Sequence, residues 1–258
     1  VAPSPTSWLL GPAEGAAEQR LFCFPHAGSG ASAFAAWRTH LPQGIGLYAV
    51  QLPARENRLG DPMPDSVEEL ARQAARALGP LLGPSYTLFG HSFGGLLAYA
   101  LASELRALGH PLPRALLISS TRPPHLPDDA LHTLPDAELL GRLREAGGVP
   151  EPLLHHKEFV SRLLVTLRTD LRLAAEYRPA PDPLPCPVRI FGAREDRVVP
   201  PDCLDGWREY ADGDFGVHVG VGDLFTAITS SVPPHPRPPG PRAGSSAGAP
   251  SSQGDLRP

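Results

Sequence analysis

Leu88-Phe89-Gly90-His91-Ser92-Phe93-Gly94-Gly95 is the stretch from which the rest of the chain can be read. Tyr86 to Phe89 is short and apolar, as a buried strand is, and Leu96-Leu97-Ala98-Tyr99-Ala100-Leu101 runs on from Gly95 as an apolar helix. Between them stands Gly90-x-Ser92-x-Gly94, the pattern of a nucleophile elbow. A strand-to-helix turn this tight tolerates only small residues around the serine. It leaves the serine Oγ exposed at the carboxyl edge of a sheet, with the next backbone N–H aimed at a reacting carbonyl. The bare pattern recurs by chance in roughly one chain in ten of this length. The strand before it and the helix after it are what identify the elbow.

Working outward, the chain alternates strand and helix. Leu21-Phe22-Cys23-Phe24 is a short buried strand ending at Pro25, and His26-Ala27-Gly28-Ser29-Gly30 follows as a loop of small residues, where a second oxyanion donor would sit. Leu47-Tyr48-Ala49-Val50-Gln51-Leu52 is the next strand, left by the charged loop Pro53-Ala54-Arg55-Glu56-Asn57-Arg58. Ser66-Val67-Glu68-Glu69 is a capping box. The helix it opens carries Val67, Leu70, Ala74, Ala77, Leu78 and Leu81 on one face. After the elbow helix, which runs to about Leu108, Ala115-Leu116-Leu117-Ile118-Ser119 is again a strand. This alternation predicts an α/β fold of the α/β-hydrolase type: a mostly parallel sheet with helices on both faces.

The alternation breaks between Arg122 and Pro179, where the sequence is helical. One helix has Pro135 in its first turn and Leu139, Leu140 and Leu143 as its apolar side. Another runs from Lys157 to Tyr177 with Phe159, Leu163, Leu164, Leu167, Leu171 and Ala174 in register. An insertion at about 123–178 reads as a lid. Val188-Arg189-Ile190-Phe191 resumes the sheet, and Asp196 follows at its carboxyl end, the place for a triad acid. Phe215-Gly216-Val217-His218-Val219 is the last strand. Residues 232–258 hold eight Pro, four Gly and four Ser, a composition that cannot form a packed helix and predicts a disordered tail. The domain expected is therefore 1–231.

Composition narrows the function classes. A net charge of −4 argues against a nucleic-acid partner, which needs a basic face. No apolar run approaches the ~20 residues of a membrane span, and Trp8-Leu9-Leu10 is too short for a signal-peptide core. Cys23, Cys186 and Cys203 are scattered, odd in number and without metal-type spacing, which suits small buried residues in a reducing compartment. A soluble, cytoplasmic protein is expected.

Three segments together resemble the type II thioesterases, the stand-alone α/β-hydrolases that serve polyketide synthases and nonribosomal peptide synthetases. They are Phe22-Cys23-Phe24-Pro25-His26-Ala27-Gly28; Gln51-Leu52-Pro53-Ala54-Arg55-Glu56, with Ala54 where the family has glycine; and Leu167-Arg168-Thr169-Asp170 followed by Tyr177. The resemblance spans about Trp8 to Val219. It implies hydrolysis of an acyl group from the phosphopantetheine arm of an acyl or peptidyl carrier protein, by a monomer that needs no metal or cofactor. It also implies Ser92 as nucleophile, Asp196 as triad acid, and the N–H groups of Ala27 and Phe93 as the oxyanion hole. Thioester attack, an acyl-enzyme and its hydrolysis follow from that set.

The resemblance fails at one position. The family's triad histidine lies in a Gly-Gly-His-Phe stretch, and the matching residues here are Gly222-Asp223-Leu224-Phe225. Leucine cannot accept a proton, and the family's closing helix gives way to the Pro-rich tail, as a reading-frame change near residue 220 would produce. After Asp196 only His218 and His235 remain, and His235 lies in the tail. His218 is thus the candidate base, although a strand histidine is ordinarily a surface residue. His26 and His91 read as scaffold. Two other readings stay open: a general serine carboxylesterase, and a catalytically inactive relative that still binds carrier proteins.

Overall fold

The computed structural model describes residues 5–10, 18–127, 129–145, 151–196, 198–220 and 228–233. Six strands form one parallel sheet: β1 (Gln19–Phe24), β2 (Ile45–Ala49), β3 (Tyr86–His91), β4 (Leu116–Ser119), β5 (Val188–Ala193) and β6 (Phe215–Gly220). Their order is β2-β1-β3-β4-β5-β6. The chain winds outward from β1 to β2 and then in the opposite direction from β3 onward. The crevice between the carboxyl ends of β1 and β3 is therefore the topological switch point, where sheets of this kind bind ligands.

The strands are apolar on both faces because both faces are covered. Phe22, Phe24, Leu88, Leu116, Ile118, Val188 and Ile190 point into the larger core, against α1 (Val67–Leu78) and α2 (Phe93–Ala107). Leu21, Cys23, Leu47, Phe89, Leu117 and Phe191 point to the other side. There, among the described residues, the cover is a 3₁₀ segment at Ala31–Thr39, whose Phe34 and Trp37 rings pack on Phe89, together with Ile228 and Val232. The capping box at α1 forms by half. Ser66 Oγ accepts the Glu69 N–H at 3.2 Å, but the Glu69 carboxylate turns to Arg72 and Gln73 instead of back to Ser66.

The inserted region contains α3 (Asp136–Glu145) and α4 (Lys157–Glu176). Pro135 starts α3, its carbonyl accepting from Glu138 and Leu139. Between β5 and β6 a ten-residue 3₁₀ segment, Pro201–Tyr210, buries Leu204, Trp207 and Tyr210, and Trp207 Nε1 donates to Thr121 O at 2.7 Å. Of the tail expected from 232, the first two residues are described. Val232 is packed in the second core, and the Gln19 side chain donates to Pro233 O. Residues 234–258 lie outside the described residues. No helix among the described residues is long and apolar enough to cross a membrane.

Candidate active site

Ser92 stands between β3 and α2 with φ 53° and ψ −121°, a conformation that costs a non-glycine residue and that only tight packing maintains. The packing is visible at the flanking glycines. A Cβ on Gly90 would lie 2.1 Å from Gly94 O, one on Gly94 2.2 Å from Phe24 O, and one on Gly95 2.2 Å from Thr121 Oγ1. The elbow is thus wedged between the end of β1 and the loop after β4. Ser92 N–H donates to Ser119 O and Gly95 N–H to Ser92 O, both at 2.8 Å. The Ser92 Oγ makes no hydrogen bond to a described residue.

The close approach of Gly94 to Phe24 and Pro25 brings the start of α2 beside the loop after β1. Phe93, first in the helix, has an N–H with no intrahelical acceptor. Ala27 N–H is likewise without a partner among the described residues. Phe93 lines the cavity at Ser92, and Ala27 lies in the loop that leaves β1 at the same edge of the sheet. Four of the N–H groups that follow in that loop are occupied: Gly28 by Asp170 Oδ2 at 2.8 Å, Ser29 by His26 O at 3.1 Å, Ala31 by Gln51 Oε1 at 2.9 Å, and Ser32 by Glu56 Oε1 at 3.3 Å.

The charged loop after β2 and helix α4 meet here. Arg55 and Asp170 form a bidentate ion pair, Nη1 to Oδ2 at 2.7 Å and Nη2 to Oδ1 at 2.8 Å. Asp170 is 0 % exposed and Arg55 5 %. Arg55 also donates to Pro53 O at 2.9 Å and Ser29 O at 3.0 Å. Neither residue was a candidate from the sequence, although both lie in the family-like segments. The available signal was a carboxylate on the buried stripe of α4, which cannot be left unpaired.

Asp196 Oδ1 accepts the N–H groups of Val198 and Val199, each at 2.9 Å, so backbone donors fix its carboxylate at the end of β5. Ser92, Phe93, Val198 and Val199 line one cavity of about 80 Å³, roofed by Leu171 and Ala174 of α4 and walled by residues 120–124. Two larger cavities, about 280 and 410 Å³, flank α4 between Lys157 and Thr169 and do not include Ser92.

His218 is not brought to this site. It is exposed, and its ring stacks on Phe191. It pairs with Phe191, which pairs with Ser119, which pairs with His91, so it sits three strands from the elbow strand. At ~4.8 Å per strand that is about 14 Å, beyond the reach of an imidazole. No hydrogen bond joins it to Ser92, Asp196 or any other described residue. Leu224 and His235 lie outside the described residues. His91 turns away from the serine, its Nδ1 3.0 Å from Ser119 Oγ and its ring edge-on to His26 at 5.8 Å. Burial, then the neighbouring His26, push its imidazole down to about 4, against a smaller upward pull from Asp196.

A doubly wound parallel sheet with a serine in a left-handed elbow at its switch point is the architecture of an α/β-hydrolase. Comparison with known proteins narrows the class. The thioesterase-domain family model matches residues 19–235, and the chain belongs to the thioesterase family. It is 37% identical over 229 residues to a protein of Brevibacillus parabrevis named linear gramicidin dehydrogenase LgrE, covering 86% of this chain and 87% of that one. The solved structure of RedJ, a thioesterase of the prodiginine pathway in Streptomyces coelicolor, superposes with a TM-score of 0.78 at 37% identity, covering 86% of this chain and 95% of RedJ. BorB, a type II thioesterase from the borrelidin cluster, superposes with a TM-score of 0.76 at 32% identity, covering 87% and 95%.

Proposed function

We propose that this chain is a type II thioesterase acting on acyl groups held as thioesters on the phosphopantetheine of carrier proteins in polyketide or nonribosomal peptide synthesis. The observation that carries the reading is the strained Ser92 elbow at the start of α2, in a chain whose relatives include RedJ and BorB. In this reading Ser92 attacks the thioester carbonyl, Ala27 and Phe93 N–H groups hold the oxyanion, and Asp196 orients the triad base. Residues 123–178 form the lid, and the protein acts as a cytoplasmic monomer.

The base is the one role that no described residue fills, and Leu224 stands at the family's histidine position. That observation favours a second reading, a relative that binds loaded carrier proteins without turnover. Fluorophosphonate labelling of the unaltered chain, Ser92→Ala and Leu224→His separates the two. Labelling of the unaltered chain that Ser92→Ala abolishes supports a working enzyme. Labelling only after Leu224→His supports the carrier-binding relative, and none in any form overturns the assignment of Ser92. A strong preference for oxygen esters over thioesters would instead favour a carboxylesterase.

The name of LgrE raises dehydrogenation, and Gly28-Ser29-Gly30-Ala31-Ser32-Ala33 after β1 has the spacing of a dinucleotide loop. Such a loop binds pyrophosphate through free N–H groups. Here two of its N–H groups are held by the carboxylates of Asp170 and Glu56, and a Cβ on Gly30 would lie 2.3 Å from Glu56 Oε1. Both the space and the charge oppose a diphosphate.

A further inference from the structure

We propose that Asp170 is a positioning residue for the oxyanion hole: held by Arg55, its carboxylate fixes the Gly28 N–H and thereby the peptide that follows the Ala27 donor. The proposal rests on the reading of Ser92 as nucleophile and of Ala27 as an oxyanion donor. Gly28 has φ +78°, and Leu163 and Leu167 of α4 close over it, so a Cβ there would meet them at 3.1 and 3.3 Å. A planar peptide leaves two soft dihedrals per residue. Once the Gly28 N–H is anchored on Asp170 Oδ2 at 2.8 Å and Ser29 O on Arg55 at 3.0 Å, the Ala27 peptide has little freedom left to turn.

The chemistry of the pair suits this task. A lone carboxylate beside a developing oxyanion would oppose it. With the Arg55 guanidinium at 2.7 and 2.8 Å, Asp170 acts as an acceptor without adding net negative charge. A buried ion pair stabilises a fold little more than apolar residues of the same size would, so its value here is geometric. The clamp also joins the second half of α4 to the loop after β1. That half of the inserted region cannot lift without exposing a charged pair and releasing the donor loop.

The test uses the full chain, in the unaltered background if it labels with fluorophosphonate and in Leu224→His otherwise. Asp170→Asn and Arg55→Lys are compared with their parent by labelling rate at Ser92, by kcat and KM on an acyl-pantetheine thioester, and by thermal melting. Variants that still melt cooperatively are expected to label and turn over about ten- to a hundredfold more slowly, below the full cost of deleting one oxyanion donor, with KM within about twofold. Unchanged labelling in a folded variant overturns the proposal. Should both variants fail to fold, amide exchange in the unaltered chain decides. Protection of Gly28 comparable to β1 supports the clamp, and free exchange overturns it. Absence of labelling in both backgrounds, with Gly28 protected, overturns the reading of Ser92 and leaves the clamp standing.

Discussion

The His218 imidazole stacks on the Phe191 ring, centroids 5.3 Å apart and planes 17° from parallel. Register enforces this contact, since the row His91, Ser119, Phe191, His218 runs straight across β3 to β6 and residues aligned in parallel strands share a face. His218→Ala is therefore expected to leave fluorophosphonate labelling at Ser92 unchanged within about twofold, in both the unaltered chain and Leu224→His. Loss of labelling in His218→Ala would mean that β6 leaves this register in the working protein.

A second prediction concerns pH. An unfolded chain protonates His91 near its ordinary value of about 6.5, whereas the folded ring resists protonation until about 4. Between these values the unfolded state binds the extra proton, so stability falls as pH drops from 6.5 to 4 and levels off below. A shift of this size sets an upper bound on the order of 3 kcal/mol on the effect. Urea midpoints at pH 7 and pH 5, compared between the chain and His91→Gln, isolate the contribution. Equal pH dependence in both would refute it.

How much of this was legible depends on whether the determinant is local. The six strands and the helices α1 to α4 follow from apolar runs and caps, and each lies close to where periodicity puts it. The elbow was legible because steric demand at Gly90, Gly94 and Gly95 writes itself as glycine. The segment Pro201–Tyr210 was not read, because a 3₁₀ run has no 3.6-residue stripe and what fixes it is Trp207 reaching Thr121, 86 residues away. Arg55 and Asp170 are 115 residues apart, and only the fold shows that they share one site. His218 looked available as a base because the sequence gives its order after Asp196 but not the three strands that separate it from Ser92.

Ala54 offers a stability test. It stands where the family-like segment Gln51-Leu52-Pro53-Ala54-Arg55-Glu56 would have glycine, and its φ is +63°. The left-handed region costs a Cβ-bearing residue about 1–2 kcal/mol, partly offset in Ala54→Gly by the greater freedom of glycine when unfolded. The net gain expected is about 0.5–1 kcal/mol, or about 2–3 °C in Tm for a chain of this size. Calorimetry of Ala54→Gly checks it, and a lower Tm would show that the turn does not hold Ala54 in this conformation.

Asp196 combines two roles that two substitutions can separate. Its Oδ1 closes the turn to Val198 and Val199 at 2.9 Å each, a bond that an asparagine oxygen can also make. Its charge is what a triad would use to stabilise the imidazolium. In the Leu224→His background, Asp196→Asn should melt within about 0.5 kcal/mol of its parent, since the turn survives. Its thioester turnover should fall on the order of 10⁴-fold, as the histidine is left in the wrong tautomer. Asp196→Ala should lose as much activity and in addition about 1–2 kcal/mol of stability, the cost of two N–H groups without their acceptor. Equal losses of stability in both variants would point to a charge holding the turn, and retained turnover in Asp196→Asn would remove Asp196 from the triad.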